Sequence, residues 1–374
     1  MTVYPAFANC HSHAFHRALR GRSHNGSTFW GWRDGMYAVA GVLDPDLYHR
    51  LARATYAEMA LAGIGAVGEF HYLHHAKGGT PYADRHAMAE AVISAAWEVG
   101  LRICLLDTCY LRAGFTGEDL ADAQRRFTSP NAEAWASGVA ELAARYQGNP
   151  AVVIGTAIHS VRAVDEASLA TVAAALPEAP LHVHVSEQPA ENTACLAATG
   201  RTPVQLLSDA GVWTQRTTAV HATHLTPGDI TTLGDAGSSV CFCPTTEAEL
   251  ADGIGPSIAL REAGARLTLG SDSNTVIDMF VEARGLAMHE RLSSGLRQGW
   301  SADQLWQAAT TDGAASLGFC GLGGFELTES VRTAGASEPL WAATAADVVA
   351  PPDIDPDWVR AELASVIEEI WSRL

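Results

Sequence analysis

The sequence has few basic residues and no long apolar run. Lys and Arg together number 24 against 42 Asp and Glu, which gives a formal net charge of −18. A surface of this sign repels phosphate backbones, so nucleic acid is excluded as an expected partner. A small anionic substrate is not excluded, because a few buried arginines can reverse the field locally. No stretch of about 18 or more apolar residues suggests a membrane-spanning helix, so no membrane association is expected.

Targeting and disulfide signals are also lacking. The N-terminal residues MTVYPAFANC contain neither a basic start nor a long apolar segment, so no signal peptide is predicted. The seven cysteines are scattered, and only Cys241 and Cys243 lie close together. Free thiols in a reducing compartment are therefore expected, which predicts a cytoplasmic protein. Cys241 and Cys243 lie in the strand-like run SSVCFCPTT. Two cysteines in such a run are expected to be buried apolar side chains rather than a metal-binding pair.

Short apolar, β-branched runs alternate with Ala-rich helical stretches along the chain. The runs are FANCHSH (7–13), IGAVGEF (64–70), LRICLLDT (101–108), AVVIGTAIHS (151–160), PLHVHVSE (180–187), TTAVHATH (217–224), SSVCFCPTT (238–246) and RLTLGSDS (266–273). Apolar strands that are each followed by a helix predict a parallel sheet. Eight such units predict an α/β fold, a (β/α)8 TIM barrel over residues 1–320. Residues 321–374 are predicted to form a loop and a terminal helix that pack on the barrel.

Titratable side chains cluster at the C-terminal ends of these predicted strands. They are His11, His13, Glu69, His159, His184, Glu187, His221, His224 and Asp272. In a barrel these ends form one face, where active sites lie, so the pattern predicts an enzyme. By contrast, His24, His74 and His75 lie in predicted loops and are expected to be solvated.

Four of the clustered residues suit a metal ion. His11 and His13 are two apart on a strand, which directs both side chains to the same face. Together with His184 and Asp272 they form a ligand set for Zn²⁺ that leaves one position open for water. Fe²⁺, Mn²⁺ and Ni²⁺ would also fit. A lone His-x-His or Ser-Asp-Ser is commonly structural, but joint placement on one barrel face favours the metal site.

A metal-activated water still needs a base to accept its proton and an acid to deliver one. His221, at the end of the sixth strand, is the candidate base. Glu187 follows His184 by three residues and could pass a proton to a leaving nitrogen. This chemistry suits the hydrolysis of C=N or C–NH2 bonds, in which ammonia leaves protonated.

Seven motifs between about residue 8 and residue 290 resemble the amidohydrolase superfamily, in its aminohydrolase branch, and above all formimidoylglutamate deiminases. They are HSHAFHRALRG, FWGWRDGMY, GEFHYLHH, AIHSVRAV, HVSEQ, VHATHLT and CPTTEAELADG. The resemblance implies a zinc-dependent enzyme that converts an N-formimino amino acid, N-formimino-L-glutamate or a close analogue, to the N-formyl product and ammonia. It implies the same four metal ligands, with Glu187 and His221 as the proton-handling pair and Asp272 helping to deprotonate the water.

The resemblance also implies which residues hold the substrate's carboxylates. They are His16, Arg33, Tyr72, His159 and Arg162. Guanidinium forks suit a dianionic substrate in a net-acidic protein, although each arginine could instead serve a structural salt bridge.

Three features depart from the family. His16 stands where Gln is usual, and Asn274 where His is more common. The first predicted strand begins at residue 7, whereas the family has a longer preceding segment that forms a small β-sandwich with C-terminal residues. We therefore expect this sandwich to be reduced or absent. Loss of the sandwich would expose an apolar patch on the barrel. We expect a second copy of the chain to cover this patch, which predicts a homodimer.

Two other functions stay open. One is a deaminase acting on another amidine or guanidine compound, or on a purine, pyrimidine or pterin ring, which would need fewer arginines. The other is a barrel without catalysis that only binds a partner. The intact set of buried titratable groups argues against this last reading, because a protein without catalysis has no physical reason to keep them.

Overall fold

The computed structural model describes residues 2–22 and 29–374. Its strands are β1 (Val3–Pro5), β2 (Phe7–Ser12), β3 (Ile64–His71), β4 (Arg102–Cys109), β5 (Val152–Ile158), β6 (Leu181–Val185), β7 (Thr217–His221), β8 (Ser239–Phe242), β9 (Arg266–Leu269) and β10 (Gly324–Glu326). Its helices are α1 (Phe29–Val42), α2 (Pro45–Leu61), α3 (Ala87–Glu98), α4 (Ala132–Arg145), α5 (Glu166–Ala174), α6 (Pro189–Thr199), α7 (Pro203–Asp209), α8 (Pro227–Asp235), α9 (Pro244–Glu249), α10 (Ser257–Ala263), α11 (Met279–Ser294), α12 (Ala302–Ala309), α13 (Thr311–Ser316) and α14 (Pro356–Ser372).

Strands β2 to β9 form one parallel sheet in sequential order, which closes into a barrel. The first and last strands meet at their C-terminal ends, where Ser12 and Asp272 form a parallel bridge. The N–H groups of Ser271 and Asp272 donate to the His11 carbonyl at 3.1 and 2.9 Å, and the His13 N–H donates to the Asp272 carbonyl at 3.0 Å. The predicted TIM barrel is therefore confirmed.

Local signals place the helices around this barrel. In α2, the Asp44 side chain accepts from the Leu47 N–H as an N-cap, and Pro45 occupies the first helical turn. Gly63 and Gly100 follow α2 and α3 with φ of 80° and 71°, the left-handed conformation that ends a helix. Ala-rich helical stretches were predicted between the strands, and α2 and α3 are two such helices.

A small antiparallel sheet lies beside the barrel. β1 pairs with β10 over three residues each. Its aromatic side chains pack on the barrel: the Phe325 ring lies 5.0 Å from the Phe7 ring, and Tyr4 stacks on Trp306 at 5.8 Å. No strand after residue 320 was predicted from the sequence, so β10 and its pairing with β1 were missed.

Helix α14 packs against α2 and reaches the segment that carries His16. Arg50 pairs with Glu362 at 2.8 Å and with Glu369 at 2.6 Å. The Trp371 indole N–H donates to the Ala18 carbonyl at 2.8 Å, within the 3-10 helix Ala14–Leu19. The end of the chain thereby supports one wall of the barrel mouth.

None of the described helices is long and apolar enough to cross a membrane.

Gly270, directly after β9, allows the barrel to close. A Cβ at this position would lie 2.8 Å from His11 Cβ and from the His11 carbonyl oxygen. We expect Gly270→Ala to lower the free energy of unfolding by about 1–3 kcal/mol, the usual cost of overpacking, as measured by urea denaturation. Gly228→Ala in α8 is the control, since its Cβ would meet only Thr226 at 3.8 Å. If the two variants were equally stable, a side chain at position 270 would not collide with His11, and Gly270 would not be needed for barrel closure.

Candidate active site and metal centre

The four residues predicted to bind the metal bring their side chains together at the C-terminal mouth of the barrel. His11 Nε2 lies 3.0 Å from His184 Nε2 and 3.3 Å from Asp272 Oδ1. His13 Nε2 lies 3.4 Å from the same carboxylate oxygen. A tetrahedral Zn²⁺ ion with bonds of ~2.0–2.1 Å separates its ligand atoms by roughly 3.3–3.4 Å. Each of these three distances is close to that between neighbouring ligand atoms of one divalent ion. The possible ligand atoms form two groups that share His11, namely His11 with His13 and Asp272, and His11 with His184 and His221.

Two backbone carbonyls determine which ring nitrogens face the centre of this group. The Phe70 carbonyl accepts from His13 Nδ1, and the His159 carbonyl accepts from His184 Nδ1, both at 2.9 Å. A neutral ring that donates through Nδ1 presents a lone pair at Nε2. These two lone pairs converge with the carboxylate of Asp272. A bound cation would relieve their mutual repulsion, so the donor set fits a metal.

Burial keeps these residues in the protonation states that a metal needs. Burial lowers the pKa of His13 and, with neighbouring histidines, lowers the pKa of His11 and His184 well below the usual range. Burial alone would raise the pKa of Asp272, but His13 and His221 hold it below its usual value. The histidines are thus neutral and the aspartate is ionised at neutral pH, as metal binding requires.

The backbone around the barrel mouth is strained. Five non-glycine residues there have left-handed φ values: Ser186 (54°), His221 (67°), Ala222 (47°), Asp272 (43°) and Asn274 (55°). Each such conformation costs on the order of 1–3 kcal/mol and persists only where the surroundings enforce it. The clustering of these residues marks the mouth as the functional region of the barrel.

Asn274 contributes to the barrel seam. Its Nδ2 donates to Ser12 Oγ and to the His13 carbonyl at 3.0 Å, and its Oδ1 accepts from Ser271 Oγ at 2.6 Å. Asn274 is fully buried and does not line the cavity. This departure from the family motif therefore affects the support of the site rather than a surface that touches substrate.

The two residues predicted to handle protons lie beside the metal set. His221 Nε2 is 3.9 Å from Glu187 Oε1, and His221 Nδ1 is 3.4 Å from Glu247 Oε1. Burial opposes protonation of His221, but Glu187, Glu247 and Asp272 together raise its pKa well above the usual range. Burial raises the pKa of Glu187, against the effect of His221. Both shifts favour the binding of a proton by this pair.

A cavity that is partly open to solvent lies at this mouth. All five residues predicted to bind substrate line it, namely His16, Arg33, Tyr72, His159 and Arg162. The same cavity is lined by His13, His184, Glu187, His221 and Asp272. The fold thus brings the predicted binding, proton-handling and metal residues to one space, although His11 lies wholly beneath its surface.

The substrate-binding candidates also have contacts with each other and with buried groups. His16 Nε2 lies 3.0 Å from the Tyr72 hydroxyl. Arg162 Nε lies 3.9 Å from Glu191 Oε1, and its side chain is 31% exposed. Arg162 thus both faces a buried acid and lines the cavity, so a structural ion pair and a substrate contact are each compatible with its position.

Several residues of the site were missed from the sequence. Glu247 and Glu191 are buried acids next to His221 and Arg162, and Tyr37 and Tyr110 line the cavity. Glu247 lies within CPTTEAELADG and Tyr37 within FWGWRDGMY, so both motifs were noticed but these two residues were given no role. Local spacing holds no signal for the others, because their partners lie on different elements.

The expectation that His74 and His75 are solvated is wrong. Their Nε2 atoms donate to the carbonyls of Thr108 at 3.0 Å and Thr128 at 2.9 Å, and both rings are partly buried. The loop folds back because both backbone N–H groups donate to the Arg126 carbonyl. His24 lies outside the described residues. Cys241 and Cys243 are buried free thiols, as expected.

The model of the amidohydrolase family matches residues 2–326 of the chain. The chain belongs to the amidohydrolase family. Among its curated relatives is the formimidoylglutamate deiminase of Pseudomonas aeruginosa, 36% identical over 84% of this chain and 72% of the relative. The 5-methylthioadenosine/S-adenosylhomocysteine deaminase of Halobacterium salinarum is 31% identical over 85% of this chain and 69% of the relative. The crystal structure of an amidohydrolase from Brucella melitensis matches with a TM-score of 0.89 and 30% identity, covering 99% of this chain and 90% of that one.

These similarities confirm the resemblance to formimidoylglutamate deiminases that the motifs indicate. This amidohydrolase is a hydrolase that acts on carbon–nitrogen bonds, in a family that typically depends on a metal ion. Its relatives include deaminases as well as a deiminase, so the family does not by itself determine the substrate.

Loss of one histidine from the metal set should prevent metal binding. We expect His184→Ala to weaken Zn²⁺ binding by at least ~100-fold, since even residues that only support ligands are worth 10–100-fold. Competition with a chelator and elemental analysis of the dialysed protein measure this. His49→Ala, on the outer surface in α2, should bind Zn²⁺ like the unaltered protein. Unchanged affinity in His184→Ala would show that the metal lies elsewhere.

Proposed function

We propose that this amidohydrolase is a deiminase that hydrolyses an N-formimino amino acid, N-formimino-L-glutamate or a close analogue, to the N-formyl product and ammonia. The observation that carries this proposal is a single cavity lined by three of the four metal-binding candidates, by the pair Glu187 and His221, and by Arg33 and Arg162. Two cationic groups suit a substrate with two carboxylates. The 36% identity to a formimidoylglutamate deiminase supports the same substrate class.

We propose that His11, His13, His184 and Asp272 hold one divalent ion, with Zn²⁺ preferred over Fe²⁺, Mn²⁺ or Ni²⁺. Such an ion, when bound, lowers the pKa of a water molecule and polarises the C=N group. Burial excludes bulk solvent from the four ligands, which strengthens every electrostatic interaction in the site.

The side chains of the cavity account for the proton transfers. Asp272 accepts the first proton of the attacking water, and the water oxygen adds to the amidine carbon while Glu187 protonates the imino nitrogen. His221, whose raised pKa keeps it protonated, can accept a proton only after it has passed its own to Glu187, so it relays protons between the two acids. The second proton of the attacking oxygen passes through the same groups to the nitrogen, the C=O bond forms, the C–N bond breaks and ammonia leaves. The raised pKa of Glu187 favours its protonated form, while the lowered pKa of Asp272 favours its carboxylate form.

The remaining cavity residues orient the amino-acid part of the substrate. Arg33 and Arg162 pair with its carboxylates as charged hydrogen-bond donors. Tyr72, His159 and His16 add neutral donors around them. Burial, together with His13, holds the pKa of His16 well below the usual range, so His16 acts as a neutral group. Action in the cytoplasm and assembly as a homodimer stay predictions from the sequence.

A ring deaminase is the second candidate. The aromatic side chains of Trp32, Tyr37, Tyr110 and Phe127 line the cavity and could stack on a flat heterocycle. The 31% identity to a 5-methylthioadenosine/S-adenosylhomocysteine deaminase favours the same alternative. A barrel that only binds a partner is less well supported, because the buried ligands and proton-handling groups are all present.

The reaction itself provides the first test. The zinc-loaded protein should release ammonia and N-formyl-L-glutamate in equal amounts from N-formimino-L-glutamate. Glu187→Gln should keep its zinc but lose about 10²–10⁴-fold in kcat, the usual contribution of a proton-transfer group. Glu262→Gln, an exposed residue of α10, serves as the matched control. Full activity in Glu187→Gln would exclude the proton-donor role, and release of ammonia from adenine-type rings alone would favour the ring deaminase.

Arg162 tests how the substrate is recognised. Arg162→Met keeps much of the side-chain volume but removes the charge. We expect KM for N-formimino-L-glutamate to rise about 10–100-fold, since a charged hydrogen bond is worth roughly 1.5–3 kcal/mol. Steady-state kinetics would measure this, with Arg297→Met, on the exposed loop after α11, as the control. An unchanged KM would place the substrate carboxylates away from Arg162.

A further inference from the structure

The segment 243–247, sequence CPTTE, touches the site from outside the cavity. No residue of this segment lines the cavity. The Thr246 hydroxyl lies 3.2 Å from the Ser271 carbonyl and 3.0 Å from Ser273 Oγ, on either side of Asp272. Glu247 contacts His221. Helix α9 and the residue before it therefore contact both the turn after β9 and the C-terminal end of β7.

The contact between Glu247 and His221 is specific to one ring nitrogen. Glu247 Oε1 lies 3.4 Å from His221 Nδ1 and accepts the Cys243 N–H at 2.8 Å. The other ring nitrogen, Nε2, faces Glu187 at 3.9 Å. Both His221 and Glu247 are almost fully buried, with 1% and 2% exposed. A half-turn of the ring about its Cβ–Cγ bond would remove Nε2 from the Glu187 side.

Within residues 2–22 and 29–374, Glu187 and Glu247 are the acids within 4.0 Å of the His221 ring nitrogens. His221 lies in the left-handed backbone region with φ 67°, and the next residue, Ala222, has φ 47°. The neighbouring rings of His11 and His184 make face or edge contacts with it at 5.8 and 5.6 Å between ring centres. These ring contacts do not distinguish the two nitrogens of an imidazole, whereas an acceptor on one side does.

We propose that Glu247 is a positioning residue, which holds the His221 ring so that Nε2 faces Glu187 and the reacting water. Glu247 does not line the cavity and contacts His221, through which it would act. This inference rests on the proposed hydrolysis for its effect on rate, but the orientation of the ring can be measured without it. Glu247 and Cys243 also lie within 4.8 Å of His221 with potential ligand atoms, so a second metal site is the competing interpretation.

The kinetic test is a double-variant cycle with His221→Ala and Glu247→Met, which replaces the carboxylate by an apolar side chain of similar size. Glu247→Met should lose about 100-fold or more in kcat, with KM within about threefold of the unaltered enzyme. The double variant should be no slower than His221→Ala alone, because a residue that acts through His221 has no effect without it. Glu247→Gln keeps an oxygen acceptor and should recover most of the activity. Additive losses in the double variant would overturn the proposal.

Structural and metal measurements separate this inference from the proposed function. Crystal structures of the zinc-loaded protein and of Glu247→Met should show the His221 ring turned or displaced in the variant, with one zinc per chain in both. An unchanged ring, or loss of a metal ion from the variant, would overturn the positioning role. If the unaltered protein hydrolyses neither formimino compounds nor rings, the proposed function fails, yet the ring orientation still decides the role of Glu247. Glu262→Gln again controls for the loss of a carboxylate elsewhere.

Discussion

Closure of the barrel between its first and last strands is the constraint on which the site depends. Two metal-binding candidates, His11 and His13, belong to the start of the chain, whereas Asp272 follows the last barrel strand. They meet because the backbone of the 271–272 turn hydrogen-bonds to His11 and His13. Gly270 permits this approach, since a side chain there would collide with His11. Backbone hydrogen bonds thus hold His11, His13 and Asp272 close to one another.

A layer of buried polar groups lies behind the site and orients it. The Phe70 and His159 carbonyls fix two imidazoles, and Glu247 accepts from a third. Glu69 accepts from the Ser12 hydroxyl at 2.9 Å and the Ala14 N–H at 2.8 Å, and burial raises its pKa to about 7. Each of these groups costs free energy to bury and is retained with a hydrogen-bond partner. Such support gives the side chains of the cavity a single arrangement before substrate arrives.

The order and position of the barrel strands could be predicted because apolar runs are a local property. Every barrel strand begins within one residue of its prediction, whereas the last two end four residues earlier than predicted. In SSVCFCPTT the apolar pattern continues past Phe242, but Pro244 opens α9 and ends the strand. The pair β1–β10 was missed because strands of three residues show no alternation. Histidines 74 and 75 were misjudged because a loop that folds onto Arg126 looks the same in sequence as a solvated one.

The residue types of the site, and their gathering on one face, follow from the sequence: polar residues at the ends of eight successive parallel strands must share one rim. The family resemblance adds the reaction class. Only the tertiary structure decides which ring nitrogen faces the centre, that Asn274 joins the barrel seam, and that Glu191 and Glu247 stand behind Arg162 and His221. The physical reason is that hydrogen bonds and ion pairs between separate elements depend on strand register and loop packing over ångström distances. Local patterns of apolar and polar residues carry no record of those distances.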